Sequence, residues 1–283
     1  MPNASANYPT DLSDAQWNLL QPLLPGPSPT GRPRTRDLRH ILNAIFYGLQ
    51  AGGAWRLLPR DFGPWSTVYG YFRRWSQAGV WAGINTTLRE SVRVRAGRLA
   101  QPSAAVLDSQ SVKTSDQACA SGIDVHKQIE GVKRHILVDT LGLLLGVVVT
   151  AASVQDRDGA KTLWECCGPG LVRLVRLWAD AGYAGALVAW LQNLQPARAL
   201  TLEIVRRAEG QKGFAVQPRR WVVERTLALL VKRRRLARHY EQRPDHSEGF
   251  IYLAMISLML RRDRKSTRLN SSHHRLSRMP SSA

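Results

Sequence analysis

Residues 133–150 read KRHILVDT-LG-LLLGVVVT: two runs rich in Val, Leu and Ile, separated by Leu141–Gly142. Runs of this length and composition, joined by a two-residue turn ending in Gly, predict a β-hairpin. Working outward, Ser103–Asp108 (SAAVLD) is a further apolar strand upstream. Downstream, patterns alternate: a helix over Asp158–Cys167, a strand over Leu174–Asp180 and a helix over Ala184–Leu194. A fifth strand over Ala199–Val205 follows, then a basic helix over Pro218–Arg238 and an apolar closing helix over Asp245–Leu260. Three strands followed by helix, strand, helix, strand, helix predict an α/β unit with a mixed five-stranded sheet flanked by helices.

The first hundred residues differ. Helical periodicity carries Trp17, Leu19, Leu20 and Leu24 behind a cap at Thr10 or Ser13. It then carries Leu38, Ile41, Leu42, Ile45 and Leu49, ending at Gly52–Gly53. Next, Trp55, Trp65, Tyr69, Tyr71, Phe72 and Trp75 interleave with Arg56, Arg60, Arg73 and Arg74. A helix opened by Pro64 turns at Gln77–Gly79 into another over about 80–94. Two readings stand: a small helix-turn-helix-like reader of DNA, with Arg56, Arg73 and Arg74 on phosphates, or a plain bundle whose aromatics are core. A shift in composition at 93–105 marks a linker, so 1–100 is expected to be a helical domain and 101–262 the α/β domain.

Among 283 residues, 40 Lys and Arg face 21 Asp and Glu, a net charge of +19 and a pI near 10.9. Such a charge points to a polyanion, nucleic acid first. No apolar run is long enough to span a bilayer, and MPNASANYPTDL has neither the charged nor the apolar region of a secretory leader. Cys119, Cys166 and Cys167 have no metal-knuckle or disulfide spacing, which suits a reducing cytoplasm.

The basic stretch 218–238, PRRWVVERTLALLVKRRRLAR, holds eight Arg or Lys and one acid, Glu224. Val223, Leu227, Leu230 and Val231 form its apolar stripe, and Glu224 lies at the stripe's edge. Pairing with Arg220 or Arg225 accounts for Glu224 as a local salt bridge. Alternatively it ligates a metal with carboxylates from elsewhere. Asp108 and Asp180 are candidates, because each ends an apolar strand and strand ends of α/β sheets carry ligand groups. Asp139 precedes a hairpin turn, and Asp156 and Asp158 read as a helix cap and its neighbour.

Taken together, AVLDSQSVKT, GVKRHILVDTLGLLLGVVVTAASVQDRDGAK, RLWADAGYAG and PRRWVVERTLALL resemble the catalytic domain of the DDE insertion-sequence transposases, specifically the insertion-sequence-five family. The segments DLSDAQWNLLQPLLP, GRPRTRDLRHILNAIFYGLQAGGAWRLLP and PWSTVYGYFRRW resemble its N-terminal helical domain, so the likeness spans about 8–262. The resemblance implies a ribonuclease-H-like fold whose first and fourth strands carry Asp108 and Asp180 and whose late helix carries Glu224. These three would be the catalytic, metal-holding triad for two Mg²⁺ (or Mn²⁺) ions. It implies Arg220 as the signature Arg, DNA as substrate, a homodimer on DNA, and a place in a bacterial cytoplasm at the nucleoid. The expected activity is nicking of the element's ends and joining of the 3′-OH to target DNA. A nuclease without strand transfer and a non-catalytic DNA-binding protein are the rivals.

Two positions depart from the wider pattern: Gln217 stands where a Tyr is common, and Val231, followed by Lys232, where a Lys is common. Further DNA contacts are expected from Lys127, Lys133 and Arg134, with His135 beside them, and from Arg220, Arg225 and Lys232. Residues 263–283 lack periodicity. Asp263–His273 and Ser277–Ala283 read as a translated short-read sequencing adapter, so this tail is expected to be non-native and disordered. Without its five bases and one acid the charge falls from +19 to +15.

Overall fold

A computed structural model describes residues 8–27, 34–115, 121–194, 200–205 and 219–276, with 194 and 263–276 as backbone only. Four helices come first: α1 (Asp14–Leu20), α2 (Leu38–Ala51), α3 (Trp65–Gln77) and α4 (Val80–Arg95). Ser13 and Gln16 form a reciprocal capping box on α1. Asp37 caps α2, which ends at Gly52 in the left-handed region (φ 74°). Phe72 and Trp75 are buried, so much of the aromatic run of α3 is core. Phe72 stacks on Phe250 of the closing helix, ring centroids 4.4 Å apart. Arg73 and Arg74 point outward from the same helix.

Among the described residues six strands follow: β1 (Ala104–Lys113), β2 (Gly122–Asp124), β3 (Ile129–Asp139), β4 (Leu144–Ala151), β5 (Arg176–Ala179) and β6 (Thr201–Ile204). The hairpin is β3–β4. β1 lies antiparallel to β3 on one edge and parallel to β5 on the other, and β5 pairs parallel with β6. The main order is therefore β4-β3-β1-β5-β6. Short β2 pairs with the start of β3 and makes the sheet six-stranded rather than five-stranded.

Helices cover both faces. One face packs against α5 (Asp156–Cys167) and α6 (Ala186–Leu194) through Leu107, Leu137, Leu163, Leu177 and Leu187. The other packs against α7 (Trp221–Val231), α8 (Arg234–Ala237) and α9 (Pro244–Leu276), and its core runs on without a break into the N-terminal helices. A buried ion pair, Arg93 Nη1 to Asp139 Oδ2 at 2.5 Å, also ties α4 to the hairpin. Asp139 Oδ1 accepts the Leu141 and Leu143 N–H groups of the turn.

Three local expectations change. The basic stretch is not one helix: α7 stops at Val231, and Arg233 is extended (φ −87°, ψ 119°) before α8. The break turns Arg233 inward to Gln50 Oε1 (2.6 Å) and Ser257 Oγ (3.1 Å), and Arg235 to the Gly53 carbonyl and Glu241. Buried guanidinium groups need such partners, and a continuous helix would leave them outside. Val231, assigned to the apolar stripe, is 38 % exposed, while Val222 and Thr226 are buried instead. Pro218 and Gln217 lie outside the described residues. Finally, α9 continues to Leu276 where a disordered tail was expected. Residues 263–276 contain neither Pro nor Gly, so nothing in the backbone stops the helix.

Candidate active site

Side chains alternate across a strand, and β1 uses both faces near its middle. Val106 and Val112 join the core beneath α7, so Asp108 faces α7. Leu107 joins the core beneath α5, so Ser109 faces α5. Asp108 is not at a strand end as the sequence suggested, because β1 runs on to Lys113. The parallel pairing with β5, however, stops at Val106↔Trp178. Asp108 and Asp180 thus stand level, each two residues past that last pair, where the sheet opens between the two strands. β5 ends at Ala179, and Asp180 begins a 3-10 turn over Ala181–Tyr183 by accepting the Gly182 N–H at 2.9 Å.

α7 brings the third carboxylate. Arg220 precedes its first turn, Glu224 lies within it, and the buried Val223, Leu227 and Leu230 seat the helix on the sheet. Arg220 Nη2 lies 3.8 Å from Asp108 Oδ2, 3.6 Å from Asp180 Oδ2 and 3.8 Å from Glu224 Oε1. Three acids from distant parts of the chain therefore surround one cationic nitrogen. The local reading of Glu224 is present too, as the Arg220 contact, but the same guanidinium serves all three. The Glu224 side chain is 49 % exposed, whereas Asp108 is buried. Burial pushes the Asp108 carboxyl up to about 6, and Asp180 adds to this. The Ser109 N–H (2.8 Å to Oδ1) and Arg220 work against it.

Among the described residues no three Asp, Glu, His or Cys side chains close tightly enough to form a metal cluster as they stand. The donor set nonetheless fits a hard divalent ion. It consists of carboxylates alone, from three elements, already gathered about one positive charge.

The expected DNA-contacting residues divide. Arg56, Arg73, Arg74, Lys127 and Lys232 are exposed. Arg56 lies over Trp65 and Arg74 over Tyr71, each 4.8 Å from the ring centroid. Arg225 is half-buried, stacked on Trp221 and donating to the Leu141 carbonyl at 3.1 Å. Lys133, Arg134 and His135 are interior and do not reach the surface. They lie on β3 with pairing on both edges, so their side chains must go to one covered face or the other. Arg134 donates to the Leu236 carbonyl at 2.9 Å on the α7–α9 face. His135 Nε2 meets Thr150 Oγ1 at 3.0 Å, and burial holds its imidazole down at about 4.

Sequence reading missed a group behind the triad. Asp156 does not cap α5, because Gln155 occupies the cap position. Instead Asp156 Oδ1 accepts the Ser109 hydroxyl at 2.8 Å and pairs with Lys133 Nζ at 3.0 Å. Burial alone would raise the Asp156 carboxyl, but the bonds from Lys133 and Ser109 outweigh it and hold it below the ordinary range. The available signal was the period of two in β1, which puts Ser109 and Ser111 on the face opposite Asp108.

Residues 12–85 match the family model described as a putative transposase of the IS4/5 family, and residues 99–260 match the transposase DDE domain. An insertion element IS402 uncharacterized 16.2 kDa protein from Burkholderia cepacia is 33% identical over 108 residues, covering 36% of this chain and 72% of that one. A putative transposase for insertion sequence element IS402 from the same organism is 30% identical over 131 residues, 44% of this chain and 60% of its own length. Uncharacterized protein y4sN of Sinorhizobium fredii is 36% identical over 70 residues, 24% of this chain and 55% of its own. No solved structure matches the chain.

Proposed function

The chain belongs to the insertion-sequence transposases with a DDE domain, and on that footing we infer that it nicks the ends of an insertion sequence and joins the freed 3′-OH to target DNA. One observation carries the reading. Asp108, Asp180 and Glu224, the last two 72 and 116 residues beyond the first, converge on the guanidinium of Arg220. The strand order β4-β3-β1-β5-β6, antiparallel then parallel about β1, supports a ribonuclease-H-like catalytic domain.

In the first reaction water attacks a phosphorus at the element's end, and the bond to the 3′ oxygen breaks. In the second that 3′ oxygen attacks a target phosphorus in line, and a new 3′-OH leaves. Asp108, Asp180 and Glu224 would hold Mg²⁺ or Mn²⁺, two ions in all, which supply Lewis acidity to the reacting oxygens. The residues themselves do the rest. Asp108 is fixed by the Ser109 N–H and Asp180 by the Gly182 N–H, so two of the three carboxylates keep their orientation. Arg220 offers a planar, permanently charged donor fork to a phosphate entering among them. Arg56, Arg73, Arg74, Lys127, Arg225 and Lys232 would hold the DNA backbone outside, and a homodimer would bring two ends together.

The test is incubation of the purified chain with Mg²⁺ and DNA carrying the element's ends. Nicked and joined products are expected from the wild type and neither from Asp108→Asn, Asp180→Asn or Glu224→Gln. Nicks without joining would favour a nuclease. Undiminished cleavage by all three variants would refute the site.

A further inference from the structure

We propose that Asp156 and Ser109 are positioning residues for Asp108, acting from the opposite face of β1 through a clamp that Lys133 completes. The inference rests on the site described above and deepens it.

The clamp is built from period-two geometry. Ser109 and Ser111 project from β1 on the α5 side. The Ser109 hydroxyl donates to Asp156 at 2.8 Å, and the Ser111 hydroxyl donates to Asp124 Oδ2 at 2.5 Å. Lys133 is paired with Ser111 in the β1–β3 register and sits between the two acids. Its Nζ lies 3.0 Å from Asp156 Oδ1 and 3.6 Å from Asp124 Oδ2, and it donates to the Val154 carbonyl at 2.9 Å. Lys133 and Asp124 are both buried, and the one ammonium is shared between the two carboxylates.

This arrangement matters because β1 has lost its β5 partner at this point. Pairing with β5 ends at Val106, so the segment carrying Asp108 is held by β3 on one edge only. A segment with one open edge is free to twist unless its side chains are tied. The Ser109–Asp156 bond supplies that tie one residue from Asp108. The same Ser109 donates its backbone N–H to Asp108 Oδ1 at 2.8 Å. Fixing the Ser109 side chain to α5 therefore fixes the peptide that aims the Asp108 carboxylate. Asp156 also approaches the second acid: a Cβ on Gly182 would lie 3.1 Å from Asp180 Oδ1 and 3.8 Å from Asp156 Oδ2. None of these residues need touch DNA.

The experiment uses the full chain carrying Ser109→Ala, Ser109→Thr, Asp156→Ala or Asp156→Asn. Three quantities are measured: Mn²⁺ binding without DNA by calorimetry, kcat and KM for end nicking, and the melting temperature. The expectation for Ser109→Ala and Asp156→Ala is Mn²⁺ affinity and kcat each reduced about 10–100-fold, as for groups that orient ligands from behind, with KM for DNA within about twofold. Ser109→Thr, which keeps the hydroxyl, should recover most of both. Asp156→Asn keeps an acceptor for Ser109 but not the charge for Lys133, and should fall between. A purely structural role would lower the melting temperature and leave Mn²⁺ affinity and kcat of the folded protein at wild-type values, and that result would overturn the proposal. Should Asp108→Asn itself leave Mn²⁺ binding intact, the triad assignment fails instead, so the two failures are distinguishable.

Discussion

Gly159 of α5 lies flat against the imidazole of His135: a Cβ added there would stand 2.1 Å from the ring's Cε1. In an open helix, Gly→Ala gains up to about 1 kcal/mol. Here the methyl meets a buried ring with no room to turn, and overpacking of this kind costs about 1–3 kcal/mol. Gly159→Ala is therefore expected to lower stability, seen as a reduced urea midpoint. In a His135→Ala background the same change should cost nothing, a coupling that a double-mutant cycle reads directly.

The same ring sets an acid limit. Burial holds His135 at about 4 against its ordinary 6.5, and His239 likewise at about 4. Above pH 6.5 both rings are neutral, folded or not. As the pH falls from 6.5 towards 4 the unfolded chain takes up protons that the folded one refuses, so stability is lost across that window. Glu248 works the other way: burial raises it to about 7, so its contribution is lost as pH rises from 4.5 to 7. Urea midpoints between pH 4 and 7 should show a shallower acid slope for His135→Asn and a steeper one for Glu248→Gln.

Arg93 and Asp139 are a buried pair whose carboxylate also closes the β3–β4 turn. Removing one partner leaves the other charge uncompensated, which costs about 3–5 kcal/mol. Arg93→Ala is expected to destabilise by that amount, measured in urea. Replacing both residues with apolar ones should cost less than the sum of the singles.

Surface and interior bases should separate in a salt titration. Each lost phosphate contact lowers the slope of log affinity against log salt by about 1. Arg73→Ala and Lys232→Ala should weaken DNA binding and flatten that slope. Arg134→Met should leave the slope unchanged and lower the melting temperature, because its guanidinium is bonded to the Leu236 carbonyl. A gel-shift series from 50 to 300 mM salt (about the range in which such slopes are read) decides it.

Much of this was legible in the residues. Hydrophobic period and turn chemistry gave the β3–β4 hairpin at Leu141–Gly142, the alternation of strands and helices after it, and the helical first hundred residues. These are local signals, carried by neighbours in the chain. The lone Glu224 on a basic helix, with Asp108 and Asp180 beside apolar runs, marked the candidate acids.

Tertiary structure decided what local pattern has no means to express. Lys133 and Arg134 look like any exposed basic pair until β4 covers the second edge of β3 and both faces acquire helices. Arg233 and Arg235 read as part of a cationic face until the break after α7 turns them towards α2. Asp156 read as a cap because its partners, Ser109 and Lys133, lie 47 and 23 residues away in sequence. Burial and ion pairing depend on contacts between distant segments. The sequence alone determined which residues carry charge, and the packing determined which charges face one another, which stay at the surface and which are spent inside.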